Sequence, residues 1–291
     1  MIAPDFYLIV ETSWFTYTYL VKIWLERFAK YPSFKGLVII EKDQSETLHQ
    51  ARKTFHQTYL GCQQIDDDLE KQLQSLYSAT GVCNTEKAMI RLFGIPPYLI
   101  PDCPQTVFFS EVNSESAKQW LNEVCQSGSP PYFFLGMGQI LKPWWIEKSQ
   151  SQIINPHSAV LPDARGIYSI ENIAATQDIN KFKKSVGITV HYIDAGVDTG
   201  AIIQTKRLLD PFVFNSIWEL KGYLYNQGFR LLADVTQDII SYPELMPIGV
   251  VHNPALRGPN FKQKDFTAAK QQQAEVGYLA MKAQVNPASA S

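Results

Sequence analysis

The stretch FYLIVETSWFTYTYLVKIWLERFAKYPSFKGLVIIE, residues Phe6–Glu41, decides the fold. Its ends, Phe6–Glu11 and Gly36–Glu41, are short apolar runs of the kind found in strands buried on both faces. Between them, Trp14–Lys30 is an amphipathic stretch rich in aromatic residues. Strand, helix, strand with short connections predicts parallel strands joined by a right-handed crossover.

The alternation continues outward. Ser45 caps a helix with Glu46 behind it, and Ile65–Ser78 reads as another, while Ala88–Phe93 is open to either reading. Thr106–Glu111, Tyr132–Gly136 and Gln152–Asn155 are further strands, with a helix over Glu115–Gln126 capped by Ser114. Gly187–Asp194 alternates like a strand with one exposed face. Ala195–Gly200 is a turn and Ala201–Leu209 another strand, together a hairpin. Asn215 caps a long amphipathic helix from Ser216 to about Ile240. The remainder is proline-rich, then polar, with a frayed end from Gln284. The expected fold class is α/β: a Rossmann-like, open, mostly parallel sheet with helices on both faces, plus a C-terminal β-hairpin, helix and tail. Residues 1–240 form one domain, and 241–291 a C-terminal extension.

Composition excludes several classes. The 291 residues hold 26 Lys and Arg against 28 Asp and Glu, a net charge of −2, and 45% are hydrophobic. A disordered chain is excluded, and a large basic footprint for nucleic acid is not expected. Cys62, Cys83, Cys103 and Cys125 form no CxxC pair, so reduced thiols are expected rather than a zinc site. The N-terminus lacks the basic start of a signal peptide, and no run reaches the ~18 apolar residues of a membrane span. A cytoplasmic chain is the expectation. No G-x-G-x-x-G follows the first strand, which argues against a dinucleotide bound in that way, and no P-loop occurs.

Three polar residues stand where strands end: Asn155, then His157 across Pro156, then Asp198 in the glycine-flanked turn. In an open parallel sheet, ligands bind beyond the carboxyl ends of the strands. Pro156 tends to keep its segment extended, and the glycines around Asp198 let backbone approach a ligand closely. Taken singly, each residue is ordinary loop or turn chemistry.

Longer motifs change that weighting. The run IINPHSAVLPDARG (Ile153–Gly166) resembles the Asn-x-His-Pro-Ser-Leu-Leu-Pro…Gly signature of folate-dependent formyltransferases. GITVHYIDAGVDTGAII (Gly187–Ile203) resembles their Gly-x-Thr-x-His…Asp-x-Gly-x-Asp-x-Gly motif, and FLGMGQIL (Phe134–Leu141) their folate-lining turn. The resemblance implies the formyltransferase fold and transfer of a formyl group from 10-formyltetrahydrofolate to an amine. It implies a catalytic trio of Asn155, His157 and Asp198. It also implies a folate pocket at Gly138, Gln139, Ile140, Leu141, Ile193, Asp194 and Val197, and requires no metal. His191 matches the family too and is read as structural or as a support behind the trio.

The chain departs from the pattern in places. Ser158, Ala159 and Val160 stand where the family usually has Pro-Ser-Leu, so the usual serine is replaced by Ala159. Extra residues around Gln63–Pro101 read as a partly helical insertion, a substrate lid or a dimer surface, which leaves a homodimer open. ETSWFTYTY after the first strand lacks the glycine-rich phosphate loop of glycinamide ribonucleotide transformylases. The segment after Ile240 is too short and too weakly basic for the appended barrel of methionyl-tRNA formyltransferases. The expected acceptor is therefore a small amine: an amino sugar, an amino acid derivative or a peptidyl amine. Trp14, Phe15, Tyr17 and Tyr19 either line its pocket or pack helix on sheet. Rival readings are a formyltetrahydrofolate hydrolase, a glycinamide ribonucleotide transformylase-like enzyme and a non-catalytic folate-binding module. Trp144 and Trp145 read as packing, Arg165 and Lys142 as solvated surface, and His49, His56 and His252 carry no assignment.

Overall fold

A computed structural model describes residues 3–77, 84–100, 103, 105–126, 128–245 and 247–285. The leading unit forms as expected: β1 (Phe6–Glu11), α1 (Thr16–Phe28) and β2 (Phe34–Ile40), with β2 parallel to β1. Then come α2 (Glu46–Thr58), α3 (Asp67–Leu76), α4 (Asn84–Phe93), β3 (Val107–Phe109), α5 (Glu115–Val124), β4 (Tyr132–Gly136) and α6 (Pro143–Lys148). The second half contains β5 (Ile153–His157), β6 (Arg165–Gly166), α7 (Ser169–Ala174), α8 (Ile179–Ser185), β7 (Gly187–Tyr192), β8 (Ile202–Arg207), α9 (Ile217–Ser241), β9 (Asn260–Phe261) and α10 (Ala268–Val285).

The main sheet runs β3-β2-β1-β4-β5-β7-β8. Its first five strands are parallel, while β7 is antiparallel to both β5 and β8. Strand order reverses between β1 and β4, which opens a crevice at their carboxyl ends. Ile9, Val38, Ile40, Phe133, Leu135 and Ile153 face Leu121 and Trp145 of α5 and α6. Leu8, Val10, Leu37, Ile39, Phe134 and Ile154 face the other way, into the core shared with α1, α4 and α9. Both faces are covered, so the strands are apolar throughout rather than alternating.

Several expectations are corrected in detail. The open Ala88–Phe93 segment belongs to α4, whose Ala88, Met89 and Ile90 are buried. Strand β5 does not end at Asn155. It continues through Pro156 to His157, with Asn155 opposite His191 and His157 opposite Thr189. β7 has no exposed face: Gly187–His191 are all buried, between two strands and beneath α9. Its polar residues are turned to partners rather than to water. Thr189 Oγ1 donates to the Ala159 carbonyl and accepts from Leu161 N–H. Ser216, not Asn215, caps α9 by accepting from Glu219 N–H.

The C-terminal segment holds a helix that the sequence reading missed. α10 packs on α7 so closely that a Cβ at Gly277 would lie 2.1 Å from the Ala174 carbonyl oxygen. Tyr278 Oη lies 2.8 and 3.0 Å from the carbonyls of Pro211 and Phe214. Val276 and Leu279 on the same helix are exposed, so its apolar residues form no single stripe and periodicity hides it. Cys62, Cys103 and Cys125 are free thiols. Cys83, Ser78 and the tail beyond Val285 lie outside the described residues. Among the described residues, no helix is long and apolar enough to cross a membrane.

Candidate active site

Asp198 converges on Asn155 and His157 although it lies dozens of residues further along the chain. The antiparallel register of β5 and β7 sets Asn155 beside His191, with Asn155 Nδ2 3.3 Å from His191 Nε2. His191 Nδ1 lies 2.8 Å from the Tyr192 carbonyl and can only donate there. In the neutral imidazole, Nε2 is then the acceptor for one Asn155 N–H. The second Asn155 N–H is left for the cleft that Asn155 lines.

Asp198 enters from the turn after β7. Its Oδ2 accepts from Gly166 N–H at 2.7 Å and lies 3.6 Å from His157 Nδ1, while Oδ1 lies 3.5 Å from His191 Nε2. Its backbone φ is +50°, a left-handed conformation that costs a non-glycine residue about 1 kcal/mol. Gly200 closes the turn, because a Cβ there would sit 1.8 Å from the Tyr192 carbonyl oxygen. This glycine serves the tight return of the chain, not the close ligand approach expected from the sequence.

The electrostatics follow from burial and pairing. Burial alone would raise the Asp198 pKa. The neighbouring His157 imidazole and the Gly166 N–H oppose it, and the carboxyl is held far below its usual range. His157 is pushed below the ordinary imidazole value by burial, partly offset by Asp198. Its Nε2 donates to the Ala164 carbonyl at 2.9 Å. Proton chemistry at His157 therefore falls to Nδ1, the nitrogen that faces Asp198.

One cleft of about 200 Å³ receives these groups. Gly138, Gln139, Ile140, Leu141, Ile193, Asp194 and Val197 all line it together with Asn155, His157 and Asp198. Side chains hold the 137–142 loop in place. Glu11 at the end of β1 accepts from Gly138 N–H and Gln139 Nε2 at 3.0 and 3.2 Å. Asn113 donates to the Ile140 carbonyl and accepts from Lys142 N–H. Asp194 is occupied with its own turn, accepting from Gly196 N–H and Thr199 Oγ1. The apolar walls and exposed loop backbone suit a flat heterocycle such as a pterin. Among the described residues, no group of three or more His, Cys, Asp or Glu is placed to hold a metal ion.

Other residues of the cleft carried no signal in the sequence. Lys221, Tyr225 and Phe229 of α9 line it, as does Tyr168. Of the four aromatics after β1, Tyr17 lines the cleft, whereas Phe15 and Tyr19 are buried in the core. Arg165 is not solvated surface: it donates to the carbonyls of Gly258 and Val197. Spacing along α9 marks only its buried face, so nothing local separated Lys221 from an ordinary helix lysine.

Residues 92–209 match the model of the Formyl transferase family. A methionyl-tRNA formyltransferase of Dichelobacter nodosus is 30% identical over 128 residues, which are 41% of this chain and 38% of that protein. The chain thus spans less than half the length of that curated relative. A sugar N-formyltransferase from Shewanella sp. superposes with a TM-score of 0.54 at 14% identity, over 94% of this chain and 88% of that one. An N-formyltransferase from Helicobacter canadensis, crystallised with folinic acid and dTDP-3-aminofucose, superposes at 0.52 and 14% identity, over 96% and 80%. The 92–209 match contains both the Ile153–Gly166 and the Gly187–Ile203 motifs, which the antiparallel pairing of β5 and β7 joins, and the two solved structures share the fold of this chain.

Proposed function

We propose that the chain transfers the formyl group of 10-formyltetrahydrofolate to the amine of a small molecule, an amino sugar or an amino acid or peptidyl amine. The observation that carries this reading is the meeting of Asn155, His157 and Asp198 in one cleft, beside the loop held by Glu11 and Asn113. The folate co-substrate supplies an activated formyl carbon when bound, with its heterocycle against Gly138–Leu141, Ile193 and Val197. The Helicobacter canadensis fold-mate holds the two ligand classes that this reading needs, a folate and an amino sugar nucleotide.

Each residue has a task set by its surroundings. Asn155, oriented by His191, directs its second N–H at the formyl oxygen, where negative charge grows as the amine attacks. Such a preorganised donor typically contributes about 10²–10³ in rate. Asp198, ionised, relays the amine proton through water towards His157. His157 takes it at Nδ1, where Asp198 stabilises the imidazolium, and returns it to the departing nitrogen. Ala164 holds the ring by its other nitrogen, so its geometry is set before substrate arrives.

The test is to incubate the protein with 10-formyltetrahydrofolate and a panel of amines and to look by mass spectrometry for gain of one formyl group. Transfer to an amine supports the reading. Formate release without any acceptor would make the protein a hydrolase, and folate binding without turnover would make it a binding module.

A further inference from the structure

One wall of the cleft, built from α1 and α9, has no task in the reaction just described. Tyr17, Lys221, Tyr225 and Phe229 line it. Lys221 is 2% exposed, and Glu171, its partner on α7, is fully buried. The Lys221 Nζ lies 3.2 Å from Glu171 Oε2 and 5.1 Å from the centre of the Tyr225 ring. An ammonium carries three N–H donors. Glu171 takes one, and no other described residue accepts a hydrogen bond from Lys221. The second oxygen of Glu171, Oε1, has no partner either.

Removing two such ions from water is costly, and a single hydrogen bond between them does not make the pair a stabilising feature. What distinguishes this pair is its opening onto the cleft with donors unused. Glu171 already balances the lysine charge, so an anion gains little net attraction there. Asp194 and Asp198 line the same cleft and oppose one. A neutral oxygen, by contrast, gains a charge-assisted hydrogen bond without added repulsion. The rings of Tyr17, Tyr225 and Phe229 offer flat apolar surface to the C–H face of a cyclic molecule.

Resting on the formyl-transfer reading above, we propose that Lys221, held by Glu171, determines acceptor specificity. Its free N–H groups bind a neutral oxygen, hydroxyl or carbonyl, borne next to the amine on a ring, and this wall does not take a phosphorylated amine.

The test uses the whole chain and four probes: folinic acid, trans-2-aminocyclohexanol, cyclohexylamine and 2-aminoethyl phosphate. Each amine is titrated by calorimetry or saturation-transfer NMR, with and without folinic acid. The wild type is expected to bind the amino alcohol roughly tenfold more tightly than cyclohexylamine, the scale of one hydrogen bond to a charged group, and to bind the phosphate no better than cyclohexylamine. Lys221→Met alone strands a buried carboxylate, so the variant that decides is Lys221→Met with Glu171→Gln. It is expected to lose the preference for the hydroxyl while its folinic acid affinity changes less than twofold. Equal binding of the two rings, no binding of either, tighter binding of the phosphate, or an unchanged preference in the double variant would each overturn the proposal. A wild type that keeps the ring preference but binds no folinic acid would instead count against formyl transfer and leave the wall as assigned.

Discussion

Two clusters of histidine and carboxylate lie in this chain, and they are put to different use. At the ends of β5 and β7, Asn155, His157 and Asp198 meet in an open cleft with part of their hydrogen-bonding capacity unused, backed by the fully buried His191. Near the end of β2, Glu41 lies 2.8 Å from Arg52 Nη1 and accepts from Thr12 Oγ1, while Arg52 donates twice to the Leu76 carbonyl. His56 is held between the Pro96 carbonyl at 2.5 Å and Tyr77 Oη at 2.6 Å, and His49 Nδ1 lies 2.7 Å from Tyr98 Oη. In this second cluster nearly every group is satisfied by the protein. The one exception is His49 Nε2. Residue types alone do not mark a site. What marks it is capacity left over on the side of a cavity, and a satisfied network of the same residue types ties α2 and the segments after it to the sheet.

The largest expected effects test that contrast directly. His157→Ala and Asp198→Ala should each lower formyl transfer by about 10²–10⁴ in a chain that still folds, read as turnover per folded molecule. Turnover close to wild type in either variant would erase the distinction. Arg52→Met should do the reverse. It leaves Glu41 buried without its cation, a loss of about 3–5 kcal/mol, readable by urea unfolding, with turnover per folded molecule preserved.

A pH effect of smaller size separates the clusters further. Burial pushes His56 down to about 4, against a slight rise from the Pro96 carbonyl. The unfolded chain therefore binds a proton near pH 6.5 that the folded chain refuses until about 4. The contribution of His56 is complete above pH 6.5 and is lost as pH falls towards 4, by about 3 kcal/mol at most. Unfolding across that range should show this slope, and His56→Gln should flatten most of it. The smallest effect concerns the loop support. Glu11→Gln should raise KM for 10-formyltetrahydrofolate several-fold, about 1 kcal/mol for one weakened hydrogen bond, at unchanged kcat. A fall in kcat with constant KM would place Glu11 in the chemistry instead.

Legibility followed the range of the interactions. The strands β1, β2 and β4 were readable because each is a local apolar run, and Ser45 and Ser114 announced their helices by cap chemistry. α10 was not, because its buried face is set by α7 and by the Pro211 and Phe214 carbonyls rather than by a stripe of its own. β7 was misread as half exposed because Thr189 and His191 are polar. Only the neighbouring strands explain how both are buried and hydrogen-bonded.

The amino-acid order by itself determined the layered α/β class and which strand-end residues bear an amide, an imidazole and a carboxylate. Those are properties of short segments, carried by periodicity, caps and side-chain chemistry. Tertiary structure alone decided that β5 meets β7 antiparallel, that Ala164 engages one His157 nitrogen and leaves Nδ1 for Asp198, and that Lys221 of α9 enters the same cleft over Glu171. Most of these relations join residues dozens of positions apart, and they arise only once packing has brought the segments together.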